Sequence, residues 1–470
     1  MVKRLFIITL SLVLAFSATP TSAQTPTPTS PSPAGPIYIV QEGDTLWDIA
    51  ALFDTGVEDI MSANSLPNSD IYVGNRLVIP GLEGMIGVLN TRIVPFGETL
   101  RSLSRQYRVD EMALRKLNHL VSPTEVYAGY KLIILQQEGK PGWPARSNLD
   151  PGETILELAV RQDTDPWTLT EINELSGTWA GLPDDVLYLP SGNSEAKMTG
   201  LPAAFSTVDV TPLPPIQGTT VKIHIAFTEP VSLGGMLIDH TLHFFKMEEG
   251  SWVALQGVHA LTEPGIYPLR LEATLPDGSV QSFEQMVLVK SGYYPDETIN
   301  GVEPDTIDPA VTGPEDQWIL SLTSPVTPEI YWQGVFQLPV DSQYCIRSKY
   351  GNRRSYNGGA LNLFHTGIDF GVCSEAHPFD IFAPADGLVV FTGLKTVRGN
   401  ATIIDHGWGV YSGLYHQEEI YVSAGDHVTT GQLIGKIGGT GRVTGPHLHW
   451  EIWVNGIQVN PLEWLQESFP

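Results

Sequence analysis

A tetrapeptide that recurs at nearly constant spacing constrains the architecture of this chain more than any other feature. Gly43-Asp44-Thr45-Leu46, Gly97-Glu98-Thr99-Leu100 and Gly152-Glu153-Thr154-Ile155 lie 54 and 55 residues apart, and 21 residues after each Gly stands Asn64, Asn118 or Asn173. Self-similarity of this kind means one supersecondary unit used three times. In the first copy Thr45 can cap a helix, with Asp48 closing a capping box, and Leu46, Ile49, Ala50 and Phe53 fall on one apolar stripe. A second short helix runs up to Asn64. Its buried positions are shared among the copies: Ile60, Leu114 and Leu169, then Ala63, Leu117 and Ile172, then Leu66, Leu120 and Leu175. Strands flank the helix pair, Tyr38-Ile39-Val40 before it and Leu77-Val78-Ile79-Pro80 after it.

This strand-helix-helix-strand unit resembles the LysM module, which binds N-acetylglucosamine-containing glycans of peptidoglycan and chitin. The first copy, over 37–81, matches along its whole length, and the second, over 91–136, nearly so. The third, over 147–191, is degenerate: Gln162 sits where Phe53 and Tyr107 lie, Pro166 enters the second helix, and Asp184 replaces the Gly seen at Gly74 and Gly129. The resemblance implies glycan contacts near Asp44 and Thr45, in the loop after the first strand, and near Leu66 and Pro67, after the second helix.

Chemistry concentrates at the other end of the chain. His365-Thr366-Gly367-Ile368-Asp369 and Gly445-Pro446-His447-Leu448-His449 are separated by some eighty residues, with Tyr415-His416 between them. Gly367 and Gly371 argue against a helix. On a strand, where side chains alternate faces, His365 and Asp369 point the same way, as do His447 and His449. Two imidazoles and one carboxylate from separate strands, with a coordination position left for water, are the ligand set of a catalytic zinc ion. No motif position claims His377, His406 or His427, which read as core or turn histidines.

These residues resemble the lysostaphin-type, or LytM-like, zinc endopeptidases, which cut peptide cross-links of bacterial peptidoglycan. The likeness runs from about Trp332 to Trp464. It includes Ser348-Lys349-Tyr350-Gly351-Asn352-Arg353-Arg354, Ala383-Pro384-Ala385-Asp386-Gly387, Gly425-Asp426-His427-Val428, Gly431-Gln432-Leu433-Ile434-Gly435 and the run from Gly438 to Glu451. What the resemblance implies is Zn2+ held by His365, Asp369 and His449, with His416 and His447 as the catalytic pair. One departure is the segment from Cys373 to Ile381, longer than the family's usual short turn.

The remaining stretches set the context. Lys3 and Arg4, the apolar run Leu5 to Phe16 and Thr21-Ser22-Ala23 form a signal peptide over 1–23. The run is shorter than the roughly 20 apolar residues that span a bilayer, and no later segment approaches that length. Export as a chain without a transmembrane segment is therefore expected, with an uncleaved signal anchor as the alternative. The formal charge is -26, becoming -28 once Lys3 and Arg4 are removed. Such a surface repels polyanions, so nucleic acid is excluded as a partner. Cys345 and Cys373 are the only cysteines. An even pair in an exported chain is expected to form a disulfide.

Residues 24–36 are a Pro/Thr/Ser linker. From 200 to 290 the period changes to two: Val221, Ile223, Ile225 and Phe227 alternate with polar neighbours, and Leu269, Leu271, Ala273 and Leu275 repeat the pattern. That alternation, with tight turns, predicts an immunoglobulin-like β-sandwich serving as a spacer. Residues 291–329 read as a Pro- and acid-rich linker with a possible short docked element at Thr306 to Val311, and 330–466 as the peptidase. The expected fold class is multidomain: α+β LysM repeats (βααβ), the sandwich, and a mainly antiparallel β peptidase of duplicated hybrid motif type. The expected function is an exported peptidoglycan endopeptidase of the cell envelope that acts on stem and cross-link peptides. A non-catalytic wall-binding scaffold or activator of another hydrolase is the alternative.

Overall fold

The computed structural model describes residues 35–82, 84–136, 145–150, 152–183, 185–190, 200–247, 250–341, 345–371 and 379–470. The signal-peptide reading and most of the first linker lie outside these residues, as do Asp184, Cys373 and His377. Two compact units form, one ending at Ile86 and the other beginning at Gly87. No described helix is long and apolar enough to cross a membrane.

The first unit is one copy of the repeat: β1 (Ile37–Ile39), α1 (Leu46–Leu52), α2 (Val57–Ala63) and β2 (Arg76–Val78), with the strands antiparallel. Gly43 has φ +87°, which favours a residue without Cβ at the turn into α1. Thr45 accepts the Asp48 N–H as N-cap, while the Asp48 carboxylate accepts the Thr45 hydroxyl at 2.6 Å. Only half of the expected capping box is therefore present. The repeated Asn has a clear task. Asn64 donates to Ile60 O and Val78 O at 2.8 Å each and accepts the Val78 N–H at 2.7 Å, so one side chain closes α2 and pins β2 to it.

The second unit carries the other two copies. β3 (Val88–Ile93), α3 (Leu100–Tyr107), α4 (Glu111–Leu117) and β4 (Lys131–Gln136) form one, and β5 (Arg146–Asn148), α5 (Ile155–Arg161), α6 (Pro166–Ile172) and β6 (Val186–Tyr188) the other. Asn118 and Asn173 repeat the three bonds of Asn64, to Leu114, Ile133, Leu169 and Tyr188. Pro166 opens α6 rather than breaking it: it occupies the first turn, where no N–H is needed, after Asp165 as N-cap.

Two four-stranded antiparallel sheets follow. Their strands are β7 (Phe205–Thr211), β8 (Thr220–Phe227), β9 (Ser232–Leu237), β10 (His240–Thr241), β11 (Phe245–Lys246), β12 (Ser251–Gly257), β13 (Gly265–Thr274) and β14 (Val280–Val289). The orders are β10-β9-β13-β14 and β11-β12-β8-β7. Val221, Ile223 and Ile225 of β8 and Leu269, Leu271 and Ala273 of β13 fill one core between them, as the alternation predicts.

Residues 291–329 depart from the linker reading. β15 (Asp296–Ile299) pairs in parallel with β17 (Arg353–Tyr356), and α7 (Pro309–Thr323) is a 15-residue helix whose Ile319 is buried beside Ala401, Ile403, Tyr411 and Tyr415. The C-terminal sheet is built from β16 (Cys345–Ser348), β18 (Leu363–Phe364), β19 (Ile368–Gly371), β20 (Asp380–Phe382), β21 (Gly387–Lys395), β22 (Gly399–Gly407), β23 (Val410–Ile420), β24 (His427–Val428), β25 (Leu433–Ile437), β26 (His447–Val454) and β27 (Ile457–Val459). All but β18, which pairs with β17, belong to one antiparallel ten-stranded sheet with the order β16-β19-β26-β23-β22-β21-β24 along its main path. Short helix α8 (Pro461–Trp464) closes it.

β12 packs on this sheet. Val253 and Leu255 share a core with Trp408, Trp450 and Val459, and Phe245 stacks on Trp408 at 4.3 Å. Across the same seam Glu463 accepts the Thr220 N–H at 2.8 Å and the Thr220 hydroxyl. Loss of water around the carboxyl pushes it up to about 8. Its folded pKa lies above the unfolded value, so its stabilising contribution is complete below about pH 4.5 and lost as pH rises through about 8. Denaturation at a series of pH values should show wild type losing stability relative to Glu463→Gln across that window. A difference that does not change with pH would contradict this account of the seam.

Candidate metal centre

Four strands or their ends bring the chemistry together. Asp369 on β19 lies directly opposite His449 on β26, and Tyr415 on β23 lies opposite His449 on the other side. His447 and His449 share a face of β26, as read from sequence. His365 does not share a strand with Asp369: it follows β18, and Thr366 and Gly367 turn the chain into β19. A Cβ on Gly367 would stand 2.2 Å from the Trp450 carbonyl oxygen, so the close approach of this turn to β26 requires glycine.

Three ligand atoms converge. His365 Nε2 is 3.0 Å from Asp369 Oδ1 and 3.0 Å from His449 Nδ1, and His449 Nδ1 is 2.7 Å from Asp369 Oδ1. All three residues are buried, and they form a group with metal-ligand spacing. The outer contacts fix which nitrogens face inward. Lys349 O can only accept, so the His365 Nδ1 at 2.8 Å carries the hydrogen and Nε2 turns its lone pair to the centre. Glu451 Oε1, 3.2 Å from His449 Nε2, does the same for that ring and leaves Nδ1 facing inward. Two nitrogen lone pairs and a carboxylate oxygen within about one hydrogen-bond length call for a positive charge between them, a proton in the free chain or a small cation when one binds. Nitrogen and oxygen donors in this number suit zinc, with room for a fourth ligand. The residues therefore fit the metal.

The electrostatics agree. Burial works to raise the Asp369 carboxyl, but His365 and His449 hold it well below its usual range. Burial lowers His449, yet its hydrogen bonds to Asp369 and Glu451 raise it overall. His365 is pushed down by burial. Arg354 reaches the outer oxygen of Asp369, with Nη2 3.3 Å from Oδ2.

The two remaining histidines border the same space. His416 and His447 have ring centroids 4.8 Å apart, and His447 Nε2 is 3.6 Å from Asp369 Oδ1. Thr440 O accepts the His416 Nδ1–H at 2.8 Å, which leaves Nε2 as a free acceptor. Burial, then the neighbouring His447 and His449, push His416 well below its ordinary value, so it is a neutral base at neutral pH. By contrast, His406 bonds Asp386 O and Ser412 and stays in the core, and His427 is exposed on β24.

Glu451 was missed from sequence. It is 2% exposed, yet every bond is used: Tyr415 and Trp453 donate to Oε2 at 3.2 and 2.8 Å, and Thr366 to Oε1. Burial alone would raise it, but His449 and Arg398 hold it at about 2, a permanent anion behind His449. Its position two residues after His449 on one strand was the available signal. Arg398 had none.

In the first repeat, Asp44 accepts from Tyr38 Oη and Gln41 N at 2.8 and 2.7 Å, and Thr45 is occupied as a cap. Leu66 is half-buried and Pro67 exposed in the loop after α2. Trp47 and Tyr72 of the same repeat are exposed.

Comparison with known proteins places these features. Residues 363–461 match Peptidase family M23, and 38–80 and 93–135 match the LysM domain. The chain is 39% identical over 134 residues to the peptidoglycan DD-endopeptidase ShyA of Vibrio cholerae, covering 28% of this chain and 30% of that protein. It is 44% identical over 98 residues to the DD-carboxypeptidase/endopeptidase Mpg of Neisseria meningitidis, covering 21% and 22%. The matched part thus spans less than a third of either relative's length. A solved M23 peptidase from Pseudomonas aeruginosa is 25% identical, with a TM-score of 0.40 over 55% of this chain and 96% of that one.

Because Glu451 sets the His449 tautomer, Glu451→Gln should keep the shape of the site but weaken zinc binding by roughly tenfold or more. Competition with a chromogenic chelator measures it. Affinity equal to wild type would show that Glu451 has no part in holding the ring.

Proposed function

With a peptidase family M23 domain and two LysM domains in one chain, we propose that this protein is an exported, zinc-dependent endopeptidase that hydrolyses peptide cross-links of peptidoglycan. The observation that carries the reading is the convergence of His365 Nε2, Asp369 Oδ1 and His449 Nδ1, with the neutral His416 facing them. These three residues hold the zinc, which when bound supplies a Lewis acid for the scissile carbonyl and acidifies water.

The chain's own groups do the rest. His416 Nε2 takes the proton of the attacking water as the oxygen–carbon bond forms, and the proton is delivered to the leaving amine as the carbon–nitrogen bond breaks. His447, its Nδ1 2.8 Å from Gly445 O, stabilises the reacting carbonyl oxygen or donates the proton. Arg354 and Glu451 keep Asp369 and His449 in place.

The first two repeats tether the chain to glycan, with Asp44, Thr45, Leu66 and Pro67 at the contact, and raise the effective concentration of the catalytic domain at an insoluble substrate. The two sheets over 200–290 are an immunoglobulin-like spacer. A Cys345–Cys373 bridge ties β16 to the segment after β19, and the acidic chain acts in the cell envelope rather than on nucleic acid.

Substitution separates the two kinds of histidine. After dialysis against a weak chelator, His449→Ala should lose its zinc. His416→Ala and His447→Ala should keep about one zinc per chain and lose turnover by roughly a hundredfold or more. Zinc by elemental analysis beside hydrolysis rate reads both. Zinc lost from His447→Ala and kept in His449→Ala would reverse the assignment, and zinc without any hydrolysis in wild type would favour the scaffold reading.

A further inference from the structure

Helix α7 precedes the residues that match the peptidase family, yet one of its side chains reaches the turn before β22, the strand that pairs with the one carrying His416. Glu315 is 8% exposed. Its carboxylate accepts the backbone N–H groups of Val397 and Arg398 at 3.0 Å each and Arg398 Nη1 at 3.2 Å. A carboxylate that bridges two consecutive N–H groups and a guanidinium fixes a turn firmly, because each bond is charge-assisted. This turn joins β21 to β22.

The same turn holds His416 by two routes. Arg398 O accepts the His416 N–H at 3.0 Å. The Asn400 N–H donates to the Thr440 hydroxyl at 2.9 Å, and Val397 O accepts the Arg442 N–H at 2.8 Å, which secures the loop whose Thr440 O accepts from the His416 ring. His416 itself has φ +63°, a left-handed conformation that a residue with a side chain keeps only when its surroundings enforce it. α7 is anchored independently of Glu315: Trp318 packs on Phe391 at 4.7 Å with Lys395 Nζ 3.6 Å over its ring, and Ile319 is buried beside Tyr415.

We propose that Glu315 is a positioning residue for the reaction: by clamping the Val397–Arg398 turn it holds His416 at the angle that aims Nε2 into the site. This rests on the reading of His416 as the base. The segment before the peptidase fold is on this account a working part of it.

Glu315→Gln is the test, because Gln fills the same space but turns an N–H2 donor toward a backbone donor. With a soluble cross-linked muropeptide dimer as substrate, kcat should fall by roughly ten- to a hundredfold, the scale of a misplaced catalytic group. KM should stay within about twofold and zinc at one per chain, the pattern of a lost transition-state interaction. Asp316→Asn removes the exposed carboxylate that Arg398 Nη2 meets at 3.1 Å but leaves the Glu315 bonds to the two backbone N–H groups of the turn in place, and should stay within about twofold of wild type. A crystal structure of Glu315→Gln should show the His416 ring displaced from Thr440 O, and that arm decides the positioning even if wild type hydrolyses nothing and the functional reading fails. Wild-type kcat in Glu315→Gln, an equal loss in Asp316→Asn, or an unmoved His416 ring would overturn the proposal.

Discussion

The site depends on Asp369. Its inner oxygen lies 2.7 Å from His449 Nδ1 and 3.0 Å from His365 Nε2, and its outer oxygen accepts from Arg354. A carboxylate removed from water is costly unless its charge is met, and here the Arg354 guanidinium meets it from outside while a proton or cation shared with the two imidazoles meets it from inside. The imidazoles are in turn fixed from behind by the Lys349 carbonyl and by Glu451. Each shell has one purpose, to keep lone pairs aimed at a single point, and a cation at that point satisfies all of them together.

The strands follow from that requirement. Asp369 and His449 are direct cross-strand neighbours in β19 and β26, and His416 comes from β23 on the far side of β26. Strand register therefore sets the distance between Asp369 and His449 and brings His416 alongside them, while the turn at Thr366 and Gly367 brings in His365. Because side chains alternate, a slip of one residue in β26 would turn both His447 and His449 away from the site.

Much of this was legible in the sequence. The repeat announced itself because Gly43, Asn64 and their counterparts have backbone tasks that few other residues can perform: a positive φ, and a side chain that bonds a helix end and a strand at once. Period-two alternation gave β8 and β13 correctly. The grouping of His365, Asp369 and His449 as candidate ligands was legible because their chemistry is scarce and their spacing regular. What sequence hid was contact between distant segments. The Pro- and acid-rich composition of 291–329 read as a linker with at most a short docked element at Thr306 to Val311, although α7 runs on to Thr323 and its Ile319 and Glu315 are buried on the C-terminal sheet. Glu315 meets Arg398 more than eighty residues away, and no local pattern encodes such a pair. The turn between His365 and Asp369 was read as one strand because alternation cannot distinguish a strand from a bend that returns the chain to the same face.

The most direct measurement is mass analysis of the muropeptides that the full chain releases from isolated peptidoglycan, with and without a zinc chelator. The account predicts that cross-linked dimers are converted to monomers by cleavage of a peptide bond, that chelation stops the conversion, and that added zinc restores it. Dimers left intact by the zinc-loaded chain, or cleavage indifferent to the chelator, would contradict it.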